Sequence, residues 1–194
     1  MGFTGHLVFA RSQHPLSEAP VFGGAAQQLD DGAHAWPPRP GGWQTLQLTH
    51  GFWQYELLPA LVEWTGAPAC FADVHDSDLA LVTGLDTEGR RWQGWLNPHI
   101  AARVLLRTPE DVDDESLWLN TPQFEEAYAR KRAELDADVP TVAERALAWA
   151  TAAGVRTTAQ QHHIEDLLRT HHTFAEDLFA ALLDELDFPE APLT

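Results

Sequence analysis

The spacing of the apolar residues changes near residue 107, and this change constrains the fold of the 194-residue chain more than any other feature. Before that point apolar and polar residues tend to alternate, which is the pattern of half-buried β-strands. Beyond it apolar residues recur every three or four positions, which is the pattern of amphipathic helices. We therefore expect an α+β fold, with a sheet-bearing region 1-107 and a helical region 108-194 that ends in a long amphipathic helix.

Strand character predicts an antiparallel sheet of about five strands. The five segments are 5–12, 43–50, 68–75, 79–85 and 90–97. Short polar turns separate the last three, which predicts a meander. The segment 79–85 is apolar on both faces, so we expect it to lie at the centre of the sheet. A short helix over 59–65 should end at Gly66, because glycine tolerates a left-handed C-cap.

Capping residues predict where the helices of the second region begin. Asn97 and Thr121 each precede a proline, and proline is favoured at the first helical position. Thr141 and Glu144 form a capping box, which predicts a further helix start there, and Gly154 should end that helix.

The segment 158–187 carries the most regular apolar pattern in the chain. Its apolar stripe keeps one helical phase throughout and comprises Ile164, Leu168, His171, Ala175, Leu178, Leu182 and Leu186. This phase favours one long helix, while a capping box at Thr173 and Glu176 favours a helical hairpin instead. A single long helix would need its apolar face covered, so we expect a possible homodimer through it, with His171 buried.

Length and cysteine content bear on domain organisation and compartment. No linker divides the chain into independent halves, so we expect a single domain over 1-194. Cys70 is the only cysteine, which excludes an intrachain disulfide and favours a cytoplasmic protein. Neither a secretion signal nor an apolar run of about 20 residues is apparent, so we expect no membrane contact.

The charge balance is strongly acidic and uneven. The chain holds 29 acids against 12 bases, a net charge of −17, and residues 108–194 alone hold nineteen acids and six bases. Such a balance argues against nucleic-acid binding, which depends on Lys and Arg. It favours either simple solubility or a basic protein partner. The acidic run, composed of Glu110, Asp111, Asp113, Asp114 and Glu115, is the best candidate for partner binding.

Two polar clusters have the residue types of metal sites. One is the turn Asp73 to Asp78, and the other is the set of helical pairs His162 with Asp166 and His172 with Glu176. The turn is explained by the preference of Asp and Ser for tight turns. The two helical pairs would lie about 15 Å apart on one helix. We therefore expect no metal site and no cofactor, and nucleotide-binding, zinc-protease and redox motifs are also lacking.

Two functional hypotheses follow. The leading hypothesis is a non-catalytic acidic interaction protein that binds a basic macromolecule. The alternative is a small hydrolase or ligand-binding enzyme whose pocket lies beside the sheet, with the loop 14–42, rich in proline and glycine, as its lid. Its predicted walls are Trp36, Trp43, Trp92 and Trp95, and its weak catalytic candidates are His50, Asp73, His75 and Asp76.

Overall fold

An antiparallel sheet forms the middle of the molecule. The computed structural model describes residues 2–22, 32–49, 51–110 and 115–188, with only the backbone described at 115 and 116. The strands are β1 (Gly5–Arg11), β2 (Ala33–Ala35), β3 (Trp43–Thr49), β4 (Ala69–His75), β5 (Leu79–Leu85) and β6 (Arg91–Leu96). They lie in the order β2-β3-β1-β4-β5-β6.

The five expected strands are therefore present, with β2 as a short addition. The position predicted for 79–85 is wrong, because β1 inserts between β3 and β4 and takes the centre with β4. β5 is nevertheless covered on both sides, since Ala80 and Val82 lie in one core and Leu85 in the other.

The helices lie mostly in the second half of the chain, which confirms the α+β class. They are α1 (Leu58–Thr65), α2 (Pro98–Val104), α3 (Glu115–Trp118), α4 (Pro122–Ala152), α5 (Gln161–Arg169) and α6 (Ala175–Glu185). Gly66, at φ 64°, caps α1 as expected, and the Thr121 hydroxyl accepts the Phe124 amide at the start of α4. None of the helices in the described part of the chain combines the length and apolarity that crossing a membrane requires.

Helix α4 contradicts the predicted helix start at Thr141. The helix runs without a break through Pro140, and the capping box plays no part. An internal proline costs a helix about 3 kcal/mol. Burial explains the continuity, because Val139, Ala143 and Ala146 occupy one face across the proline and pack in the core.

The single helix expected over 158–187 is also wrong, because α5 and α6 are separate helices. The side-chain amide of Asn97 holds the chain between them: Oδ1 accepts the His172 amide at 3.0 Å, and Nδ2 donates to the His172 carbonyl at 2.9 Å. Helix α6 then starts where the Ala175 amide donates to the Ser77 carbonyl at 2.7 Å. These long-range bonds replace helical ones. The break agrees with the alternative that the capping box at Thr173 and Glu176 favoured, although α6 begins at Ala175 and its N-cap residue, Phe174, forms no side-chain cap bond.

The sheet buries both of its faces. On one face β1, β4, β5 and β6 pack against α4, α5 and α6. On the other, β1, β3 and β4 pack against α1 and the segments around Leu16 and Trp53. The apolar stripe, apart from His171, is buried within the chain itself: the residues are Ile164, Leu168, Ala175, Leu178, Leu182 and Leu186. A second chain is therefore not needed to cover it.

The segment 36–43 is fastened to the body of the molecule. The indole N–H of Trp36 donates to Gln47 Oε1 at 2.9 Å. Arg39 is 4% exposed, and its guanidinium contacts the Asp184 carboxylate and the Phe188 carbonyl. This part of the predicted lid loop is thus packed down by its own side chains.

Candidate functional site

The turn between β4 and β5 gathers several of the predicted site residues. Asp76 and Ser77 have φ values of 49° and 59°, as in the two-residue hairpin turns of antiparallel strands. The turn closes through the Asp78 amide, which donates to the His75 carbonyl at 2.9 Å. The side chains of Asp73, His75 and Asp76 are exposed.

The polar groups of this turn join distant parts of the chain. Asp76 Oδ1 accepts the Gly2 amide at 2.7 Å, and Ser77 Oγ accepts the Phe3 amide at 2.7 Å. Ser77 Oγ also donates to Glu176 Oε1 at 2.6 Å. The turn therefore fixes the start of β1 and the start of α6, which is a structural use of these residue types.

The remaining candidates are Asp73, His50 and the single cysteine. Asp73 lies 3.5 Å from His6, measured between Oδ1 and Nε2. His50 lies outside the described residues. Cys70 is buried, and burial raises the pKa of its thiol far above the usual value, so the reactive thiolate is disfavoured.

The helical histidines are dispersed rather than convergent. The rings of His162 and His163 touch each other at a centroid distance of 4.2 Å on the exposed side of α5. His172 Nδ1 lies 3.4 Å from Asp177 Oδ2, while Glu176 is bound to Ser77. Among the residues that the structure describes, no three His, Cys, Asp or Glu side chains are grouped to hold a metal ion.

The four tryptophans predicted to wall a pocket do not face a common space. Trp43 and Trp92 are 5% and 3% exposed and belong to the core, where Trp43 stacks on Phe9 and Trp92 packs edge-on against Trp149. Trp36 is half-buried against the same core. Trp95 lines a cavity of about 330 Å³ beside β6, and Trp92 lines a different one of about 440 Å³ with Arg91 and Arg145.

The acidic run is described only at its ends. Asp111, Asp113 and Asp114 lie outside the described residues, the side chain of Glu115 is likewise not described, and Glu110 is exposed. Exposed apolar side chains lie beside it in sequence: Val104, Leu105 and Leu117 are 56%, 40% and 71% exposed.

Phe124 brings the elements on either side of the acidic run together. Its buried ring packs edge-on against Trp118 of α3 at 5.1 Å. The guanidinium of Arg103, in α2, lies 5.7 Å from the same ring. Val104 follows Arg103 and Leu117 precedes Trp118, so the exposed apolar residues adjoin the positions that meet at Phe124. We use the name α2–α3 surface for exposed Val104, Leu105 and Leu117 together with the acidic run that they flank in sequence.

A second polar region, which sequence reasoning missed, lies where α2, α4 and the end of α5 meet. This cleft has a volume of about 370 Å³, and its polar lining consists of His99, Tyr128, Arg132, Asp136, Arg169 and His171. The rings of His99 and His171 meet edge-on at 4.3 Å. His171 is exposed here, so its expected burial on the apolar stripe is wrong.

The charges of this cleft are unevenly paired. Arg169 Nε donates to Asp136 Oδ1 at 2.7 Å, and its Nη1 donates to Glu165 Oε2 at 3.2 Å. Partial burial, the neighbouring His171 and the positive charge of Arg132 lower the pKa of His99. Arg132 is exposed and forms no ion pair with another described residue. The sequence did contain one signal for this cleft. Tyr128, Arg132 and Asp136 follow one another at steps of four residues, which places them on the same face of a helix.

Comparison with known proteins identifies no relative. No family model, curated protein or solved structure matches the chain.

Proposed function

We propose that the chain is a non-catalytic interaction protein that binds a basic partner protein through the α2–α3 surface. The observation that carries this proposal is the exposure of Val104, Leu105 and Leu117, which flank the acidic run in sequence. Protein interfaces combine an apolar centre with a polar rim, and charged rims steer the approach of oppositely charged partners. Acidity alone would explain solubility, but it would not call for exposed leucines at the same place.

The surroundings of Phe124 support a prearranged surface. Phe124 and Trp118 are buried, so α3 and the start of α4 are held against each other by aromatic packing. Their exposed neighbours, such as Leu117, are then presented from ordered elements. A partner that covers such residues removes apolar area from water at little cost in chain ordering.

The non-catalytic part of the proposal is supported by how the candidate groups are used. The polar atoms of Asp76 and Ser77 hold the chain together, and Asp73 and His75 are exposed. The thiol of Cys70 is buried. The alternative of a ligand-binding protein retains one supporting observation, the cavity beside Trp95.

Compartment and further partners belong to the same proposal. We place the protein in a reducing cytoplasm, because its single cysteine is buried and reduced. A net charge of −17 opposes binding to a phosphate backbone, so the partner is a protein and not a nucleic acid. The reason for expecting a homodimer through 158–187 no longer applies, because the apolar residues of the stripe in that segment are buried within the chain.

The test is affinity capture from native lysate, with partners identified by mass spectrometry and then purified. We expect wild type to capture a basic protein at a near-stoichiometric level. Leu117→Ser should lose it, as should a variant neutralised by amide substitution at all five acids, Glu110, Asp111, Asp113, Asp114 and Glu115.

A matched control carries the same change of charge elsewhere. Its five substitutions convert Glu18, Glu56, Glu63, Asp166 and Glu185 to the corresponding amides, and all five side chains are exposed. If the control variant captures the same partner and the variant with the neutralised acidic run does not, the result supports binding through the α2–α3 surface. Equal capture by all variants, or loss with the control alone, refutes it.

A further inference from the structure

The cleft between α2, α4 and α5 holds one arginine, Arg132, that is free of ion pairs with the other described residues. Arg169 is balanced by Asp136 and Glu165, while Arg132 forms no ion pair with another described residue. A guanidinium flanked by imidazoles in a concave site is an arrangement that recognises anions.

The hydrogen bond at His171 defines which ring atoms face a ligand. His171 Nδ1 lies 3.4 Å from Asn97 Oδ1, an acceptor that favours a proton on Nδ1. Asn97 is fully buried and its amide is tied to two backbone carbonyls, so the His171 ring is held from behind. In that tautomer Nε2 is a hydrogen-bond acceptor, so the N–H donors that the cleft offers an anion are those of Arg132.

An apolar cavity adjoins the charged cleft. The two share Pro98, and the apolar cavity, of about 330 Å³, is lined by Trp95, Leu135, Val139, Val142 and Leu168. Arg132, Leu135 and Val139 follow one another along one face of α4, at steps of three and four residues. Volumes of this size fall within the range of small-molecule sites.

We propose that these joined cavities bind a small carboxylate with an apolar body. Its carboxylate accepts hydrogen bonds from Arg132, in the cleft that His99 and His171 also line, and its body lies against Trp95 and Leu135. A single unpaired guanidinium matches one negative charge better than the two charges of a phosphate monoester. Asp138 also lines the apolar cavity, and its repulsion favours the orientation with the ligand carboxylate at Arg132. This site is separate from the α2–α3 surface and does not depend on the proposed function.

Octanoate is the probe for the test. Octanol, which has a similar apolar body without the charge, and inorganic phosphate, which has the charge without an apolar body, are its controls. Histidine ring signals of the full chain are followed by NMR during titration, and affinity is measured by calorimetry. We expect octanoate to shift the His99 and His171 signals saturably and to raise the pKa of His99. Octanol or phosphate should bind at least about tenfold more weakly.

Two variants separate the charged half of the site from its apolar half. Arg132→Ala should weaken octanoate at least about tenfold, and Leu135→Trp, which fills the apolar cavity, should do the same. Arg130→Ala is the matched control, because residue 130 lies about 160° from residue 132 around the helix. Equal affinity in wild type and Arg132→Ala, or equal binding of octanoate and octanol, overturns the proposal. Phosphate binding as tight as octanoate would identify a general anion site and overturn it as well.

Discussion

The β4–β5 turn and the α2–α4–α5 cleft are both rich in polar side chains, but they use them in opposite ways. In the turn, the side-chain oxygens of Asp76 and Ser77 accept backbone amides from the start of the chain. In the cleft, Arg132 and His99 face open space and hold no other segment in place. The polar side chains of the turn are therefore structural, because they are hydrogen-bonded to other segments. Those of the cleft form a candidate binding site, because Arg132 and His99 keep their polar groups toward open space.

The largest effect should come from Asn97, which supports both regions from behind. Its side chain is fully buried and bonds Asp78 and both backbone groups of His172. Asn97→Ala leaves those groups without partners, so we expect a loss of about 2–4 kcal/mol in unfolding free energy. Urea denaturation measures this. Asn120→Ala, at an exposed position, is the control, and a loss equal to the control would contradict the structural role.

The next effect tests the turn itself. Ser77→Ala removes the hydroxyl that accepts the Phe3 amide and donates to Glu176. We expect a loss of about 1–2 kcal/mol, since each net hydrogen bond contributes about 1 kcal/mol. Hydrogen exchange should show faster opening of the first residues of β1 and of α6. Unchanged exchange at both places would show that the hydroxyl does not join them.

The cleft should respond in the opposite manner. Arg132→Ala removes no ion pair with a described residue, so we expect its unfolding free energy to stay within about 0.5 kcal/mol of wild type. Differential scanning calorimetry with and without octanoate checks this, since only wild type should gain a higher Tm from the ligand. A destabilised Arg132→Ala without ligand would make the cleft structural like the turn.

The smallest effect concerns pH. The folded pKa of His99 is lowered below its ordinary 6.5, so as pH falls below 6.5 the unfolded chain takes up the proton first. Stability therefore decreases toward acidic pH, and this contribution is absent above the unfolded pKa. His99→Gln should flatten the decrease of unfolding free energy between pH 7 and pH 5 by a small amount. His34→Gln, at an exposed residue of β2, should leave the slope unchanged.

Local patterns predicted the elements of the fold more successfully than their arrangement. Alternation located the strands, and Gly66 and Thr121 marked helix ends as expected. The phase of the apolar stripe survived the break between α5 and α6, because both helices pack on the same face of the sheet. The capping box at Thr173 and Glu176 indicated a break, but the bonds from Asn97 that hold it come from a residue distant in sequence.

The candidate sites show the same division. Sequence alone identified the acidic run, because charge is visible without structure. It overrated Trp43 and Trp92, since a tryptophan in a strand fills the core as readily as it lines a pocket. It overlooked Arg132 and His99, because what makes them candidates is the cleft they share and the lack of an ion pair at Arg132 with the other described residues. Only the packing of α2 on α4 brings those residues together.

The contacts of Phe188 carry a consequence for how the chain is made. Its ring lies 5.2 Å from Phe9 and 4.8 Å from Trp43, near the opposite end of the chain. The helix-facing side of the sheet is thus completed by residues that leave the ribosome roughly ninety positions after β6. At about 5–20 residues per second, the nascent sheet keeps that apolar side bare for on the order of 5–20 s. Over that interval the growing chain is a substrate for chaperones and a source of aggregation.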